Sequence, residues 1–307
     1  MFNREGVYIA ESTINDWFRD VCDLIYPLYN TLKDHVLKSD YIQADETPIP
    51  VFTPDKKGAT HKGYYWAYND PISKIVIFDY QKTRGRQGSD KFLENFTGNL
   101  QTDGYVGYEH FKDVPQIILM ACMAHARRYF EKSHDSYKEL SEFAMLKFQD
   151  LYHIEQHARD NNLSYEQIKE LRQTKAVPVL NSLETWLVEK KEVVLPKSSI
   201  GTAINYTLNL WPRLKEYLNN GKYKIDNNLI ENQIRPVALG RKNYLFAGSH
   251  QAAQRAAMIY SLPGTCKLHN INPREWLTYV LTVISGYKAN KLSELFPQNY
   301  LSNLQPK

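Results

Sequence analysis

Three acidic residues, Asp45, Asp103 and Glu231, occur where secondary structure would hold a carboxylate in place. Asp45 lies within a predicted strand, Asp103 near the end of another, and Glu231 on a predicted helix. A carboxylate inside a strand is poorly tolerated unless it is exposed, paired or bound to a metal ion. Because side chains alternate along a strand, Asp45 and Glu46 point to opposite faces. We take Asp45 as the candidate and keep Glu46 in reserve.

Carboxylates that meet at one point can hold divalent cations for phosphodiester chemistry. Two ions about 3.5 to 4 Å apart stabilise the attacking and leaving oxygens and activate a water or a 3′-hydroxyl. Ordinary structural explanations also exist for each acid. Asp45 could be an edge-exposed residue, and Asp103 could form a turn before Gly104. Glu231 could pair with Arg235 on a helix surface, which contributes only a few tenths of a kcal/mol.

A helix after Asp226 would present Glu231. Asp226 is a favourable N-cap, and Asn227, Glu231 and Arg235 follow at a spacing of four along one helix face. The helix would pack through five apolar residues, namely Leu229, Ile230, Ile234, Val237 and Ala238. Glu231 is therefore expected on a packed helix and not in a loop.

Two helix-breaking residues, Pro236 and Gly240, predict where this helix ends. The cations Arg241 and Lys242 follow at once, before the apolar run 244–246. The pattern thus places basic side chains a few residues beyond the candidate carboxylate.

The predicted elements follow the order of a ribonuclease H-like α/β core, a mixed sheet flanked by helices. They are strands 41–52, 63–68 and 74–80, a short helix 89–96, a strand 99–105, a short helix, a strand 115–120 and a long helix from about residue 122. The first three strands predict a meander. In a ribonuclease H-like sheet the first and fourth strands are neighbours, so Asp45 and Asp103 could reach one point.

Helices are predicted before, within and after this core. The first covers residues 12–37, with Ser12 as its cap and Pro27 as a kink or break. In the region 135–221, Ser164 and Gln167 form a capping box and Pro178 interrupts a helix. Later helices run to about Leu262 and from 272 to 284, and the tail from residue 287 is expected to be weakly ordered. The predicted divisions are 1–40, 41–134, 135–221, 222–262 and 263–307.

The composition is that of an ordinary globular protein, with 43% hydrophobic and 23% charged residues. Lys and Arg exceed Asp and Glu by a net charge of +4, which permits a polyanionic partner without demanding one. No apolar run approaches the ~20 residues of a membrane span. Three widely spaced cysteines suit a reducing compartment. We therefore expect a cytoplasmic protein.

Four sequence blocks closely resemble the DDE transposases of the insertion sequence 66 (IS66) family. They are Ala44–Pro48, Gln101–Tyr105, the set Cys122, His125, Ala126, Arg127, Arg128 and Phe130, and above all Asp226–Ser249. By that resemblance, Asp45, Asp103 and Glu231 are the catalytic residues that bind metal, with Mg²⁺ or Mn²⁺ as two ions, and the substrate is transposon-end DNA. The resemblance further suggests a homo-oligomer on paired DNA ends and accessory proteins from the same element.

The resemblance also directs attention to residues around the acids. The phosphate-contact candidates are Arg235, Arg241, Lys242, Arg127, Arg128 and Arg255, for which a solvated basic face is the alternative. His125 and Asn227 are possible auxiliary residues. Cys122 and His125 have the spacing of a zinc half-site, but no second pair is visible, so packing or a DNA contact is favoured.

Members of the family usually carry an N-terminal zinc-binding and DNA-binding region, which this chain is expected to lack. An active transposase is therefore one hypothesis, and a truncated, catalytically idle remnant that binds DNA or a full-length partner is another. A host ribonuclease H-like nuclease is a third, disfavoured by the block Asp226–Ser249.

Overall fold

The computed structural model describes residues 5–53 and 58–304 of the chain. It is a mixed α/β structure with a five-stranded sheet in the order β3-β2-β1-β4-β5. The strands are β1 (Tyr41–Phe52), β2 (Thr60–Asp70), β3 (Ile75–Gln81), β4 (Gly98–Thr102) and β5 (Ile117–Ala121). The helices are α1 (Glu11–Leu37), α2 (Gln87–Phe92), α3 (Met123–Ser133), α4 (Lys138–Asp160), α5 (Tyr165–Leu171), α6 (Val177–Lys191), α7 (Ser199–Asn209), α8 (Trp211–Lys215), α9 (Asn228–Tyr244), α10 (His250–Leu268), α11 (Pro273–Val283) and α12 (Tyr300–Leu304).

The chain forms two compact units, one of residues 1–97 and 230–307 and the other of residues 98–229. The first unit contains β1, β2 and β3 as an antiparallel meander, which confirms the sequence prediction. The bounds of β1 are those predicted. Its register places Asp45 opposite Ala67, and Ala67 opposite Phe78 on β3.

Helix α10 covers β3, the outermost strand of the meander. The backbone N–H of Val76 donates to Thr265 Oγ1 at 3.2 Å, and that of Phe78 donates to Ser261 Oγ at 2.8 Å. A Cβ on Gly264 would lie 2.9 Å from Val76 Cγ1, so the glycine permits this close approach. Side-chain hydroxyls on α10 thus satisfy backbone donors of an edge strand. The helix ends at Leu268, beyond the predicted end near Leu262.

Helix α1 runs unbroken through Pro27, so the predicted split there is wrong. Pro27 is on the exposed side of the helix, while Ile25 and Leu28 next to it are fully buried. Burying each aliphatic side chain contributes about 1.5 to 3 kcal/mol, enough to outweigh the ~3 kcal/mol penalty of an internal proline. Residue Ala10, not Ser12, precedes the first turn.

The segment 287–304 is ordered, contrary to the sequence prediction. Two 3₁₀ helices, Ala289–Leu295 and Pro297–Asn299, precede α12. Leu295 and Phe296 are each 1% exposed. The indole Nε1 of Trp276 donates to the Leu295 carbonyl at 3.0 Å. Buried apolar side chains and this hydrogen bond hold the segment on α11.

The second unit contains β4 and β5, a parallel pair with Leu100 opposite Leu119. Strand β4 ends at Thr102, whereas the sequence predicted a strand through Tyr105, so Asp103 lies just beyond the strand. Helices α4 to α8 form the helical region predicted between the core elements. Its capping box is confirmed, because Ser164 Oγ accepts from the Gln167 N–H and Gln167 Oε1 accepts from the Ser164 N–H.

A buried arginine organises this helical unit. Arg172 lies in a short π-helical stretch, Arg172–Ala176, and is 1% exposed. It forms a bidentate ion pair with Glu155 on α4, both N–O distances being 2.7 Å. It also donates to the carbonyls of Tyr217, Asn220 and Tyr223, which lie in the segment 216–227 before α9. Sequence analysis did not single out this residue.

Among residues 5–53 and 58–304, no helix combines the length and the apolar character that crossing a membrane requires.

Candidate active site

Asp45 lies at the middle of β1 in the first unit. The strand has no bulge in its pairing with β2, so Asp45 shares a face with Ile49 and Val51. Both of these residues are fully buried in a core that also contains Ile230 and Val237 of α9. Helix α9 therefore covers the strand face on which the Asp45 side chain lies. Asp45 Oδ1 accepts from the Glu46 N–H at 2.7 Å.

Glu46 has a structural role on the opposite face. Its Oε1 accepts from Arg84 Nε at 2.8 Å and from Arg84 Nη2 at 2.5 Å. The Glu46 side chain is 1% exposed and that of Arg84 is 44% exposed. Because Glu46 is engaged in this ion pair, Asp45 remains the better candidate for a catalytic acid. Arg84 is 38 residues away in sequence, and no local pattern marked it as the partner of Glu46.

Glu231 lies in the first turn of α9 and is half-buried. The adjacent Ile230 is fully buried, which fixes this turn against the sheet. The helix dipole favours an anionic side chain at this end. The sequence prediction of a packed helix that presents Glu231 is therefore confirmed.

The bounds of α9 differ from those predicted. The helix continues through Pro236 and Gly240 to Tyr244, so the prediction that these two residues end it is wrong. Pro236 is exposed, and Val237 immediately after it is fully buried in the same core as Ile230. Packing on both sides of the proline keeps the helix intact. Arg241 and Lys242 consequently belong to the last turn of α9, where cations complement the helix dipole.

The residues just before α9 anchor its start in the second unit. Asp226 Oδ1 accepts from the Asn228 N–H at 3.1 Å, and its Oδ2 accepts from the Tyr152 hydroxyl at 2.7 Å. Burial, and then the charge of Asp226, raises the pKa of Tyr152. The Asn227 N–H donates to Cys122 Sγ at 3.4 Å. Asp226 thus stabilises the helix start as expected, and Tyr152 is a partner that the sequence did not reveal.

Asn227 itself is fully buried. Within residues 5–53 and 58–304, neither the side-chain oxygen Oδ1 nor the side-chain nitrogen Nδ2 of Asn227 has a hydrogen-bond partner. A buried amide without a partner is costly, so such a group commonly marks a place where a ligand or water binds. Asn227 precedes α9 and does not share its helical face with Glu231 as predicted.

Asp103 lies in a tight turn at the carboxyl end of β4. Its Oδ1 accepts from the Tyr105 N–H at 2.8 Å, and its backbone carbonyl accepts from the Tyr206 hydroxyl at 2.6 Å. Gly104 follows with a φ of +86°, a conformation that favours glycine. Burial, and then the charge of Asp103, raises the pKa of Tyr206. The turn-forming role considered for Asp103 is real, and it fixes one carboxylate oxygen in a half-buried position.

Cys122 and His125 lie at the start of α3. Cys122 is the N-cap position, is buried, and accepts the hydrogen bond from Asn227 described above. His125 Nε2 is 3.1 Å from Arg128 Nη1. Cys122 therefore packs against the segment that leads into α9, which is one of the two roles favoured from sequence over a zinc half-site.

The six candidate cations differ in their protein contacts. Arg127 pairs with Glu131 at 2.8 Å, and Arg255 lies 4.0 Å from Asp23. Arg241 is half-buried and donates to the Pro48 carbonyl on β1. Arg235 and Lys242 have exposed side chains on α9. Arg128, as noted, contacts His125.

Comparisons with known proteins cover most of the chain. The family model of the IS66 transposases matches residues 1–255, and that of the IS66 C-terminal element matches residues 261–298. The uncharacterized protein y4hP of Sinorhizobium fredii (strain NBRC 101917 / NGR234) is 30% identical over 321 residues, covering 96% of this chain and 57% of that protein. The uncharacterized protein y4jD of the same strain is 30% identical over 318 residues, covering 98% of this chain and 61% of that protein.

This chain spans about three fifths of the length of these curated relatives. The match to the family model extends through β1 to β5 and through α9, which carries Glu231. The chain belongs to the IS66 family of transposases.

Proposed function

We propose that this chain is a DDE transposase that cleaves transposon-end DNA and transfers its strands in a metal-dependent reaction, with Asp45, Asp103 and Glu231 as its catalytic residues. Membership of the family supports a transposase role, and DDE transposases as a class use divalent metal ions. The observation that carries the proposal is the position of α9. Helix α9 covers the strand face of Asp45 and carries Glu231 in its first turn.

Family membership supports the inclusion of Asp103, which directly follows β4. An antiparallel meander of three strands followed by parallel strands is also the pattern of a ribonuclease H-like core, which we propose as the finer description of the fold. In that fold the acids of the first and fourth strands serve one site.

The donor set suits hard divalent cations. Mg²⁺ and Mn²⁺ prefer carboxylate oxygens, and three carboxylates with substrate phosphate and water complete their coordination. Asp45, Asp103 and Glu231 would hold two such ions, and the unpartnered buried amide of Asn227 is a suitable auxiliary donor nearby in sequence. When bound, the ions would stabilise the developing charge on the attacking and leaving oxygens.

The protein itself would bind and orient the DNA. Arg235 and Lys242 are exposed on α9, where their side chains can contact phosphates. The pair of Glu46 and Arg84 keeps a second acid next to Asp45 neutralised, so that it does not compete for cations. Ile230 and Val237 anchor α9, which keeps Glu231 in place.

The test uses the purified chain with labelled DNA that carries the ends of its own element. Wild-type protein is expected to cut this DNA only with Mg²⁺ or Mn²⁺. Asp45→Asn, Asp103→Asn and Glu231→Gln should each lower cleavage by at least about 100-fold while circular dichroism and urea midpoints change little, because metal ligands are lost but packing is kept.

Glu46→Gln is the matched control, since it changes the neighbouring acid on the other strand face. It should retain cleavage. Cleavage retained by any of the three amide variants would remove that residue from the site. A wild-type protein that binds the ends but never cuts them would contradict the enzymatic proposal.

A further inference from the structure

Three exposed apolar side chains gather at one end of the meander in the first unit. Phe52 at the end of β1 is 37% exposed, Leu245 is 63% exposed and Phe246 is 43% exposed. The rings of Phe52 and Phe246 have centroids 6.1 Å apart. We call these three residues the aromatic end. Clustered apolar side chains in solvent commonly indicate a surface that binds a partner.

The backbone holds the aromatic end rigidly. Leu245 has a φ of +63°, a left-handed conformation that is costly for a residue with a side chain. The next residues then run along β1, because the Ala247 N–H donates to the Pro50 carbonyl and the Phe52 N–H donates to the Ala247 carbonyl, both at 2.8 Å. Such strain persists where the surrounding structure imposes it and is frequent at functional sites. The turn leaves Leu245 and Phe246 exposed beside the last residues of β1.

Basic residues surround the aromatic end. Lys62 on β2, Lys82 after β3 and Lys242 on α9 are exposed. The His61 ring bonds the Lys82 carbonyl at 2.5 Å and lies 5.4 Å from the ring of His250. Burial, and then the charges of Lys82 and His61, lowers the pKa of His250, in keeping with positive charge at this end.

We propose that the aromatic end stacks on unpaired bases of a DNA strand while the surrounding lysines contact its backbone. Aromatic side chains bind single strands by stacking on the faces of bases, which an intact duplex hides. The cations favour a polyanion over a protein partner, because lysine is depleted at protein interfaces. The inference rests on the proposed function and adds to it a second contact on the substrate.

The position of the aromatic end sets where on the DNA this contact falls. The rise of a strand places Phe52 about 23 Å from Asp45 along β1. The rise of a helix places Tyr244 about 20 Å from Glu231 along α9. The stacked bases would therefore lie roughly 20 Å from the phosphate that is cut. Strand separation near the transposon end would supply the unpaired bases.

The experiment measures binding of a single-stranded oligonucleotide that contains 2-aminopurine, without metal ions, so that cleavage plays no part. Fluorescence anisotropy gives the Kd, and quenching of 2-aminopurine reports stacking. Phe246→Ala should weaken binding by about 5- to 150-fold, the range expected for one stacked base, and should abolish quenching. Phe246→Trp should restore both.

Ile72→Ala is the matched control. Ile72 is 39% exposed and lies in the turn between β2 and β3, at the opposite end of the meander. Its substitution should leave binding and quenching unchanged. Circular dichroism spectra should be the same for all variants, because each replaced side chain is exposed.

Three results would overturn the proposal. The first is unchanged single-strand binding by Phe246→Ala. The second is an equal loss for single-stranded and duplex DNA, which would indicate a contact without base stacking. The third is loss of self-association by Phe246→Ala in light scattering with DNA binding intact, which would make the aromatic end a protein interface. None of these depends on whether the protein cuts DNA, so the stacking proposal and the proposed function fail separately.

Discussion

At the residue scale, the structure gives Asp45 and Glu46 different roles, whereas the sequence distinguished them only by the alternation of side chains along a strand. Strand periodicity correctly places Asp45 and Glu46 on opposite faces, and the Arg84 ion pair then gives Glu46 a structural role. For Asp103 the structural explanation is observed, because one carboxylate oxygen accepts the hydrogen bond of a turn. A turn and a ligand can coexist on a carboxylate, since it has two oxygens and about four lone-pair sites.

The neighbours Arg241 and Lys242 are expected to differ when each is changed to Gln. Arg241 donates to the Pro48 carbonyl, so its loss should lower the free energy of unfolding by about 1 to 2 kcal/mol. Lys242 is exposed, so its loss should leave stability unchanged but reduce the slope of log Kd for duplex DNA against log salt by about 0.9. Urea melts and a salt titration measure the two effects.

Lys291→Gln serves as the control for the salt titration, because Lys291 is paired with Glu294 and is not among the phosphate-contact candidates. A slope that is the same for wild type and Lys242→Gln would exclude Lys242 from the phosphate contacts. The sequence could not distinguish these cations, since the carbonyl that Arg241 bonds is 193 positions away along the chain.

At the element scale, α9 shows how packing overrides local helix signals. Proline and glycine normally end a helix, yet Pro236 and Gly240 lie inside this one. Gly240 is needed for close approach, not for a turn. A Cβ there would lie 2.6 Å from Tyr244 Cε1 and 2.8 Å from the Tyr260 hydroxyl. Tyr260 lies on α10, 20 residues after Gly240, so the local sequence pattern could not reveal that the glycine makes room for this side chain.

Gly240→Ala is therefore expected to destabilise the protein by about 1 kcal/mol or more, although alanine in a helix interior usually stabilises by a similar amount. In a Tyr244→Ala background the largest overlap is absent but the overlap with the Tyr260 hydroxyl remains, so the same substitution should cost less. Urea denaturation of the four proteins in this cycle gives the two differences. Stabilisation by Gly240→Ala in the wild-type background would show that the two tyrosines move aside at little cost.

At the scale of the whole molecule, stability should depend on two histidines. Burial is the first cause of the lowered pKa of both His250 and His269, from an ordinary value of 6.5. His269 Nε2 lies 3.1 Å from the Ser73 carbonyl. The unfolded chain therefore binds protons more readily than the folded protein, so the free energy of unfolding rises with pH in this window.

The urea midpoint should accordingly fall as the pH is lowered from about 7.5 to 5.5, with most of the change below about 6.5. His269→Gln should reduce that dependence, because one of the two titrating groups is removed. Glu109 does not contribute to the change in stability over this pH range. Its pKa is lowered from 4.5 by the hydrogen bond from Arg213, so its contribution is lost only at more acidic pH. A midpoint that stays constant or rises on acidification would contradict the prediction.

Much of the fold was predictable because its strands carry apolar or aromatic residues and are bounded by turn residues. The bounds of β1, the meander, the capping box at Ser164 and the helix that starts after Asn272 are all confirmed. The misjudged features, the unbroken α1, the length of α9 and the ordered segment 287–304, depend on tertiary packing. Periodicity shows which face of a helix is apolar, but not what covers it.

The buried Arg172 has a consequence for anyone who would shorten this protein. The helical region 135–221 resembles an appendage that could be excised from the core. The guanidinium of Arg172, however, donates hydrogen bonds to the carbonyls of Tyr217, Asn220 and Tyr223, which lie just before the helix that carries Glu231. Deleting the region would remove the clamp on the chain that enters α9. A minimal version of this protein must keep Arg172 with Glu155, or supply another tether for that chain.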